Sequence, residues 1–293
     1  MRNRVLLMIV SVAVLSSVAA AVGPDPAVIT RLTGLEPEVK NGVAKVSAPR
    51  TDLTVVVDGV KMQPFQGLTS WAAFAGSGRN TVVMGDLTLA EDEVGPVMDA
   101  ALAGGLEVTA LHNHFSFDRP RVLFMHIAGT GGTEQLASAV RKALDAIKQT
   151  RGSAPPAEAF GGPAIPVENR IDPKPLEAIL GATGQAKNGI VKFVFAQKTK
   201  AHGIDLGPEM GVNTWAAFAG GPEAAVVDGD FAMLEGELQP VLRALRVAKI
   251  NVVAIHSHMI HEQPRIMFLH FWGKGPAEDL ARGLHAARAA QRG

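Results

Sequence analysis

An internal duplication constrains this chain more than any other feature of its sequence. The segment W-A-A-F-A-G, which begins at Trp71, recurs at Trp215. Between Trp71 and Gly129, 24 of 59 positions are identical to the residue 144 positions later, without a gap. Self-similarity at a fixed period indicates one folding unit that is repeated, so both copies must form the same elements.

Each copy alternates strand-rich segments with amphipathic helices. Short helices are expected to begin at Asp25 and Asp172, which can cap them, and to end at Gly34 and Gly181. Longer helices are predicted at residues 91–102, 133–147, 235–247 and 276–290, and strands at residues 43–46, 53–57, 71–75, 81–84, 106–115, 121–127 and 190–195. The sequence therefore predicts an α+β fold in two tandem copies related by a pseudo-two-fold axis. It leaves open whether the copies form two lobes or one sheet.

The domain organisation follows from the duplication and from a stretch rich in proline. Residues 151–175 contain six prolines and three glycines, which is typical of a linker. We expect a signal peptide at residues 1–21, a first repeat at 22–150, a linker at 151–170 and a second repeat at 171–293.

The N-terminal segment has the pattern of a secretory signal peptide. Two arginines in the first four residues precede an apolar run at 5–18 and three alanines at 19–21. A transmembrane anchor is the alternative, but the run is short for spanning, and no later segment has 18 uninterrupted apolar residues. We expect a periplasmic or secreted protein with no membrane span in the mature chain.

Composition excludes several classes of function. The 28 basic residues balance the 28 acidic ones, which argues against a nucleic-acid partner. The chain has no cysteine, so it contains no disulfide, thiolate metal site, cysteine nucleophile or lipoprotein attachment site. Histidine, aspartate, glutamate and serine remain to carry any chemistry.

Seven of the nine histidines fall in two windows of 15 residues, one in each repeat. Both repeats encode H-x-H, three residues, an acid, x-P-R, four residues and H. The histidines of this motif are His112, His114 and His126 in the first repeat and His256, His258 and His270 in the second. All three pairs are retained although 35 of the 59 aligned positions differ.

This histidine pattern predicts metal ligands. Two histidines at alternate positions of a strand share a face, and an even register would bring the third beside them from the next strand. Three imidazoles are a common ligand set of catalytic zinc, and imidazole also suits copper, iron and nickel. We expect a divalent transition metal, with zinc the first candidate. The alternative is that the histidines form a structural hydrogen-bonded network.

Acidic and basic residues accompany the histidines. Asp118 and Glu262 occupy equivalent turn positions and are candidates for a fourth ligand or a general base. Arg121 and Arg265 can bind the carboxylate or phosphate of a substrate, or pair with those acids or with an acid of a helix.

Other repeated positions have simpler interpretations. Asp86 and Asp230 follow glycines and are expected in turns. Four aromatic residues are expected in the core because alanines surround them: Trp71, Phe74, Trp215 and Phe218. His202 and His285 lack a counterpart in the other repeat, and we assign no role to them. His261 is an additional histidine of the second repeat, so the two sites need not be equivalent.

The W-A-A-F segment, H-N-H-F followed by D-R-P-R and F-x-H, and their repetition resemble the LppY/LpqO family of bacterial exported proteins, whose function is not established. The resemblance implies an envelope location and a two-copy architecture, but no activity and no catalytic residues.

Two functions from different classes are consistent with these features. One is an exported metal-binding protein, with metal-dependent hydrolysis of an anionic substrate as its candidate chemistry. The other is a non-enzymatic envelope module that binds a small anionic ligand or a protein partner and uses its histidines structurally. Enzyme status and oligomeric state are left open by the sequence.

Overall fold

A computed structural model describes residues 23–152 and 154–292. The described residues form six α-helices: α1 Pro26–Thr33, α2 Val94–Ala103, α3 Thr133–Arg151, α4 Pro173–Leu180, α5 Leu238–Val247 and α6 Ala277–Ala289. Short 3-10 helices lie at Pro64–Gln66, Glu91–Glu93, Pro208–Met210, Glu235–Glu237 and Ala290–Arg292. The expected signal peptide lies outside the described residues, and no helix within them is long and apolar enough to cross a membrane.

Eighteen strands complete the described secondary structure. Those of the first repeat are β1 Glu38–Lys40, β2 Val43–Pro49, β3 Val56–Val57, β4 Val60–Lys61, β5 Thr69–Ser77, β6 Asn80–Ala90, β7 Glu107–His112, β8 Asp118–Arg119 and β9 Val122–Gly131. Those of the second are β10 Gln185–Lys187, β11 Ile190–Ala196, β12 Thr199–Ala201, β13 Ile204–Leu206, β14 Asn213–Gly220, β15 Ala225–Leu234, β16 Asn251–His256, β17 Glu262–Gln263 and β18 Ile266–Gly275.

Twelve of these strands form one continuous antiparallel sheet. Its order is β1-β2-β5-β6-β9-β7-β16-β18-β15-β14-β11-β10. The equivalent strands of the second repeat therefore follow one another across the sheet in the reverse order of the first. The two halves join where Leu111 of β7 pairs with Ile255 of β16, and these two residues occupy equivalent positions of the repeats. A pseudo-two-fold axis therefore passes between them. The predicted α+β class and its duplication are confirmed. Of the two arrangements that the sequence left open, the two copies form one sheet and not two separate lobes.

One hydrophobic core unites both repeats on the helical face of the sheet. It includes Ile29 of α1 and Leu176 of α4 together with Phe74 and Phe218, which are fully buried in β5 and β14. The prediction that these two phenylalanines lie in the core is confirmed. The helices cover this face of the sheet. Because strand side chains alternate between faces, the residues between the core positions lie on the opposite face.

The second face, which we call the open face, carries two small apolar clusters beneath short sheets. The sheet β4-β3-β8 accompanies a cluster around Phe124, and the sheet β13-β12-β17 accompanies one around Phe268. Trp71 and Trp215 also lie on the open face, half-buried, with lysine ammonium groups above their rings. The prediction that both tryptophans lie in the core is wrong, because they occupy the strand positions that alternate with the core residues.

Candidate metal centre

Strand register assembles the polar residues of the second repeat on the open face. Asp230 of β15 pairs directly with His270 of β18, and His270 pairs with Ala254 of β16. His256, the last residue of β16, pairs with Phe268. Directly paired residues of antiparallel strands point to the same face, so the carboxylate and the two imidazoles share one surface. This is the even register that the sequence analysis required.

Three residues of the second repeat come close enough to hold one cation. The ligand atoms of Asp230, His256 and His258 all lie within 4.8 Å of one another. The shortest of these contacts, 3.1 Å, joins Asp230 Oδ2 and His258 Nε2. The ring centres of His256 and His258 are 5.1 Å apart.

Phe268 fixes the position of His258. The two rings stack with centres 3.5 Å apart and planes 9° from parallel. Phe268 is itself fully buried in the cluster formed with Val212, Ala232 and Ile266. His258 lies two residues beyond the end of β16, so this stack, rather than the strand, holds its imidazole beside Asp230.

Two polar atoms of this group are buried without a hydrogen-bond partner. They are Asp230 Oδ1 and His256 Nδ1. Burial raises the pKa of Asp230, an effect that the neighbouring imidazoles of His270, His256 and His258 oppose. Burial also lowers the pKa of His256, against the opposing charge of Asp230. An unpaired buried polar atom typically costs about 1–3 kcal/mol of stability. A bound cation that accepts lone pairs from these atoms would remove that cost.

The first repeat has the same plan in a looser form. The ring centres of His112 and His114 are again 5.1 Å apart, and His114 stacks on Phe124 at 3.4 Å. Asp86 Oδ1 is also buried without a partner. Its Oδ2, however, is 3.9 Å from His114 Nε2, and no group at the spacing of the second repeat is found among the described residues of the first. Burial lowers the pKa of both His112 and His114.

The third histidine of each motif lies behind the pair. His126 stacks on His112 with ring centres 5.1 Å apart, and His270 stacks on His256 at 4.8 Å. His270 Nδ1 is 3.2 Å from the carbonyl oxygen of Gly229. The structure thus brings all three motif histidines of each repeat together. In the second repeat, the closely spaced Asp230, His256 and His258, which we call the tight group, include an aspartate in place of the third imidazole. Whether the third histidine binds metal stays a prediction.

Asp118 and Glu262 are buried and are used by the backbone. Asp118 Oδ2 accepts a 2.7 Å hydrogen bond from the amide of Val122, and Glu262 Oε1 accepts one of 3.3 Å from Ile266. Each carboxylate therefore stabilises the turn that enters the following strand. Neither belongs to the tight group, and their role as a base stays a prediction.

The two arginines lie on the surface. Arg121 is exposed, and Arg265 lines a cavity of about 450 Å³ together with Glu107, Glu235 and Gln239. The lining of this cavity includes none of the histidines. The expected ion pairs of these arginines with Asp118 and Glu262 are not found among the described residues.

Two histidines without an assigned role come together in the second repeat. His202 follows β12 and His261 precedes β17, and their ring centres are 5.8 Å apart. The first repeat has Asp58 and Phe117 at these positions. His285 is exposed on α6.

The carboxylates of the site were not predicted from the sequence. Asp86 and Asp230 were expected in turns, but they lie in the middle of β6 and β15. The preceding glycines suggested a turn, whereas their role is close packing: a Cβ at Gly85 would lie 2.6 Å from the carbonyl oxygen of Trp71. The retention of Gly-Asp in both repeats was the available signal.

Comparison with known proteins gives a family but no function. No curated protein matches the chain. Among solved structures, the double-ringed trimeric shell protein MSM0271 from the RMM microcompartment shares 13% identity, with a TM-score of 0.21 over 73% of this chain and 82% of that one. EtuB from Clostridium kluyveri shares 13% identity, with a TM-score of 0.21 over 88% of this chain and 90% of that one. Likeness at this level bears on neither fold nor function.

The family match covers both repeats. Membership of the LppY/LpqO family, which the motifs suggested, is wrong, because the profile that matches the two repeats is that of a different family. With matches at residues 27–146 and 174–290, the chain belongs to the family described as Domain of Unknown Function (DUF1259).

Proposed function

We propose that this chain is an exported metal-binding protein that holds a divalent transition metal, with zinc the first candidate, between Asp230, His256 and His258. One observation carries the proposal. Two buried atoms of this group, Asp230 Oδ1 and His256 Nδ1, lack partners, and a cation among the three side chains would stabilise the carboxylate and accept a lone pair from an imidazole.

The donor set and its spacing suit zinc. A Zn–N bond is about 2.0–2.1 Å and the ring centre lies about 1.1 Å beyond the nitrogen, so imidazoles at the tetrahedral angle have centres about 5.1–5.2 Å apart. The observed separation in both repeats is 5.1 Å. Two nitrogens and one carboxylate oxygen also match catalytic zinc sites, which keep a fourth position open. The lowered pKa of His256 favours the neutral imidazole that a metal requires.

Metal binding is proposed to be unequal between the repeats. In the second repeat Asp230 already contacts His258 at 3.1 Å, whereas in the first the corresponding distance is 3.9 Å. Binding in the first repeat would require the carboxylate and the imidazole to move together. We therefore assign the tighter site to the second repeat and a weaker one to Asp86, His112 and His114.

The location and the chemistry are parts of the same proposal. The signal-peptide pattern of residues 1–21 supports export to the periplasm or beyond. A metal with an open position would supply Lewis acidity for hydrolysis of an anionic substrate, which is the candidate activity. A non-enzymatic binding module is the second candidate, and it is favoured by the position of two sizeable cavities, of about 450 and 320 Å³, whose linings include none of the site histidines.

The test is metal content and affinity of the protein purified without a histidine tag. We expect about one equivalent of zinc to bind tightly. Loss of a residue that merely supports a ligand costs about 10–100-fold in metal affinity, so Asp230→Asn should cost at least about tenfold. The matched change Asp86→Asn should leave the tight equivalent unchanged.

A surface control separates the site from the exposed histidine pair. The double variant His202→Asp/His261→Phe gives the second repeat the residue types that the first repeat has at the equivalent positions, Asp58 and Phe117. It should retain the tight equivalent of zinc. Zinc affinity that is insensitive to Asp230→Asn, or lost in this double variant, would overturn the proposal.

A further inference from the structure

A lysine and a tryptophan stand beside the carboxylate of the candidate metal site. Trp215 of β14 pairs directly with Asp230, so the indole is the immediate neighbour of the carboxylate on the open face. The ammonium of Lys192, on the next strand β11, lies 4.3 Å from the centre of the Trp215 ring. A cation held over an indole face is stabilised by the ring and so has a defined position although it is exposed.

The first repeat contains the same arrangement. Trp71 pairs directly with Asp86, and Lys45 Nζ lies 4.5 Å from the centre of the Trp71 ring. Most aligned positions of the two repeats differ, yet lysine, tryptophan, aspartate and histidine recur in the same order across the sheet. The lysine–tryptophan pair is therefore a repeated companion of the aspartate–histidine group.

Neither ammonium is held in a close ion pair, although Lys192 interacts electrostatically with Asp228 and Lys45 pairs across the strands with Glu38. Among the described ion pairs there is no carboxylate within 4.0 Å of Lys192 or Lys45, although other surface lysines do pair, as Lys200 does with Asp205 at 3.0 Å. Asp228 lies in the same row of the sheet as Lys192, separated from it by Ala217. Lys192 thus presents a positive charge, held on an aromatic surface, toward the side of the sheet that carries Asp230.

The distance between the two features fits a small molecule. Lys192 lies two strands and two residues away from Asp230, which corresponds to about 12 Å between their Cα atoms. A lysine side chain extends about 6 Å, and the metal position lies beyond Asp230 on the side of β18 and β16. A ligand must therefore span at least about 6 Å to reach from the ammonium to the metal while its body lies against Trp215.

We propose that the Lys192–Trp215 pair is the anion-recognition half of the metal site: it binds one carboxylate or phosphate group of a small organic anion whose other end is a ligand of the metal. This inference rests on the proposed function and deepens it. In this proposal the charged partner of the ligand is Lys192, and not Arg121 or Arg265, which the sequence suggested. Lys192 and Trp215 are binding residues in this proposal, and neither is a metal ligand.

The experiment is calorimetric titration of the zinc-loaded protein with two sets of probes. Malonate, succinate and glutarate differ in the distance between their carboxylates, and 3-phosphonopropionate replaces one carboxylate with a phosphonate. We expect succinate or glutarate to bind more tightly than malonate, because malonate is too short to span the gap. The phosphonate distinguishes a phosphate-selective site from a carboxylate-selective one.

The variant Lys192→Met decides the inference. It should lower the affinity for the best anion about tenfold while zinc affinity stays unchanged, and Lys45→Met should leave that first binding event unaltered. Equal anion affinity in Lys192→Met and wild type, or equal affinity in zinc-loaded and zinc-free protein, would overturn the inference while the metal site stands. Absence of zinc binding in the wild type, measured beforehand, would refute the proposed function and the inference with it.

Discussion

Replacing Glu93 with glutamine should destabilise the protein far more than the same change at Glu237, its counterpart in the second repeat. Glu93 is completely buried and accepts hydrogen bonds of 2.7 and 2.8 Å from Arg50 and one of 2.9 Å from Arg151. It also accepts a 2.8 Å bond from the amide of Ala90. Glu237 likewise accepts a 2.7 Å bond from the amide of Leu234, also accepts one of 3.3 Å from Gln291 Nε2, and is half-buried.

The magnitude follows from what each substitution leaves unpaired. Breaking a buried ion pair costs about 3–5 kcal/mol because a charge is left without compensation. Arg50 retains Asp52 and Arg151 retains Asp92 in the Glu93→Gln variant, which places the expected loss near the lower limit, at about 3 kcal/mol. Glu237→Gln keeps a neutral acceptor for one capping bond, so its loss should be below about 1 kcal/mol.

The measurement is urea unfolding of both variants, followed by circular dichroism and by tryptophan fluorescence. The capping bond is common to both glutamates, and glutamine can still accept the bond that Gln291 donates to Glu237. The difference between the variants, about 2 kcal/mol or more, therefore reports the arginine contacts of Glu93. Equal unfolding free energies within about 0.5 kcal/mol would show that the buried arginines do not depend on Glu93 and would refute the reasoning.

Three further predictions concern the site. Zinc at about 100 times its dissociation constant should raise the melting temperature by about 5–10 °C, an effect that a chelator reverses and that Asp230→Asn abolishes. In metal-free protein, burial sets the folded-state pKa of His112 and His114 below the unfolded value of 6.5, so the unfolded chain takes up protons first and stability falls as the pH drops below 6.5. The urea midpoint should therefore decline less between pH 7.5 and 5.5 when both are glutamine; an unchanged decline would contradict this. Gly229→Ala should cost about 3 kcal/mol, since the added Cβ would lie 2.1 Å from a backbone carbonyl oxygen, whereas Gly236→Ala, with open space, is the near-neutral control in thermal melts.

Periodicity and repetition were sufficient to predict the class of fold. The amphipathic pattern of residues 133–147 predicted the helix that the structure has at Thr133–Arg151. A strand was predicted at residues 71–75, and the alanines around Phe74 predicted that its ring lies in the core. The continuity of the sheet was not predictable, because it depends on one pairing between the copies, Leu111 with Ile255. Neither residue differs in type from an ordinary strand residue.

The site was predicted in part for the same physical reasons. Repetition identified the histidines, and register placed them together. The aspartates were missed because β6 runs over Asn80–Ala90, whereas the sequence predicted a strand that ended before Gly85. Trp71 was misplaced because the two alanines that follow it, Ala72 and Ala73, lie on opposite faces of the strand, so composition did not indicate which face was covered. Both errors arise from tertiary contacts that override a local signal.

The two repeats divide stability and binding between them. The first contains the buried network of Glu93, Arg50 and Arg151, and the second has Gln197 at the position of Arg50. The second contains Asp230 and His256, whose unpaired buried atoms cost about 1–3 kcal/mol each. Because both repeats share one sheet and one core, these unpaired atoms lower the free energy of unfolding of the whole molecule. A metal that binds the folded state would offset that cost by about 2.7 kcal/mol at 100 times its dissociation constant, because it would stabilise the carboxylate and accept a lone pair from an imidazole.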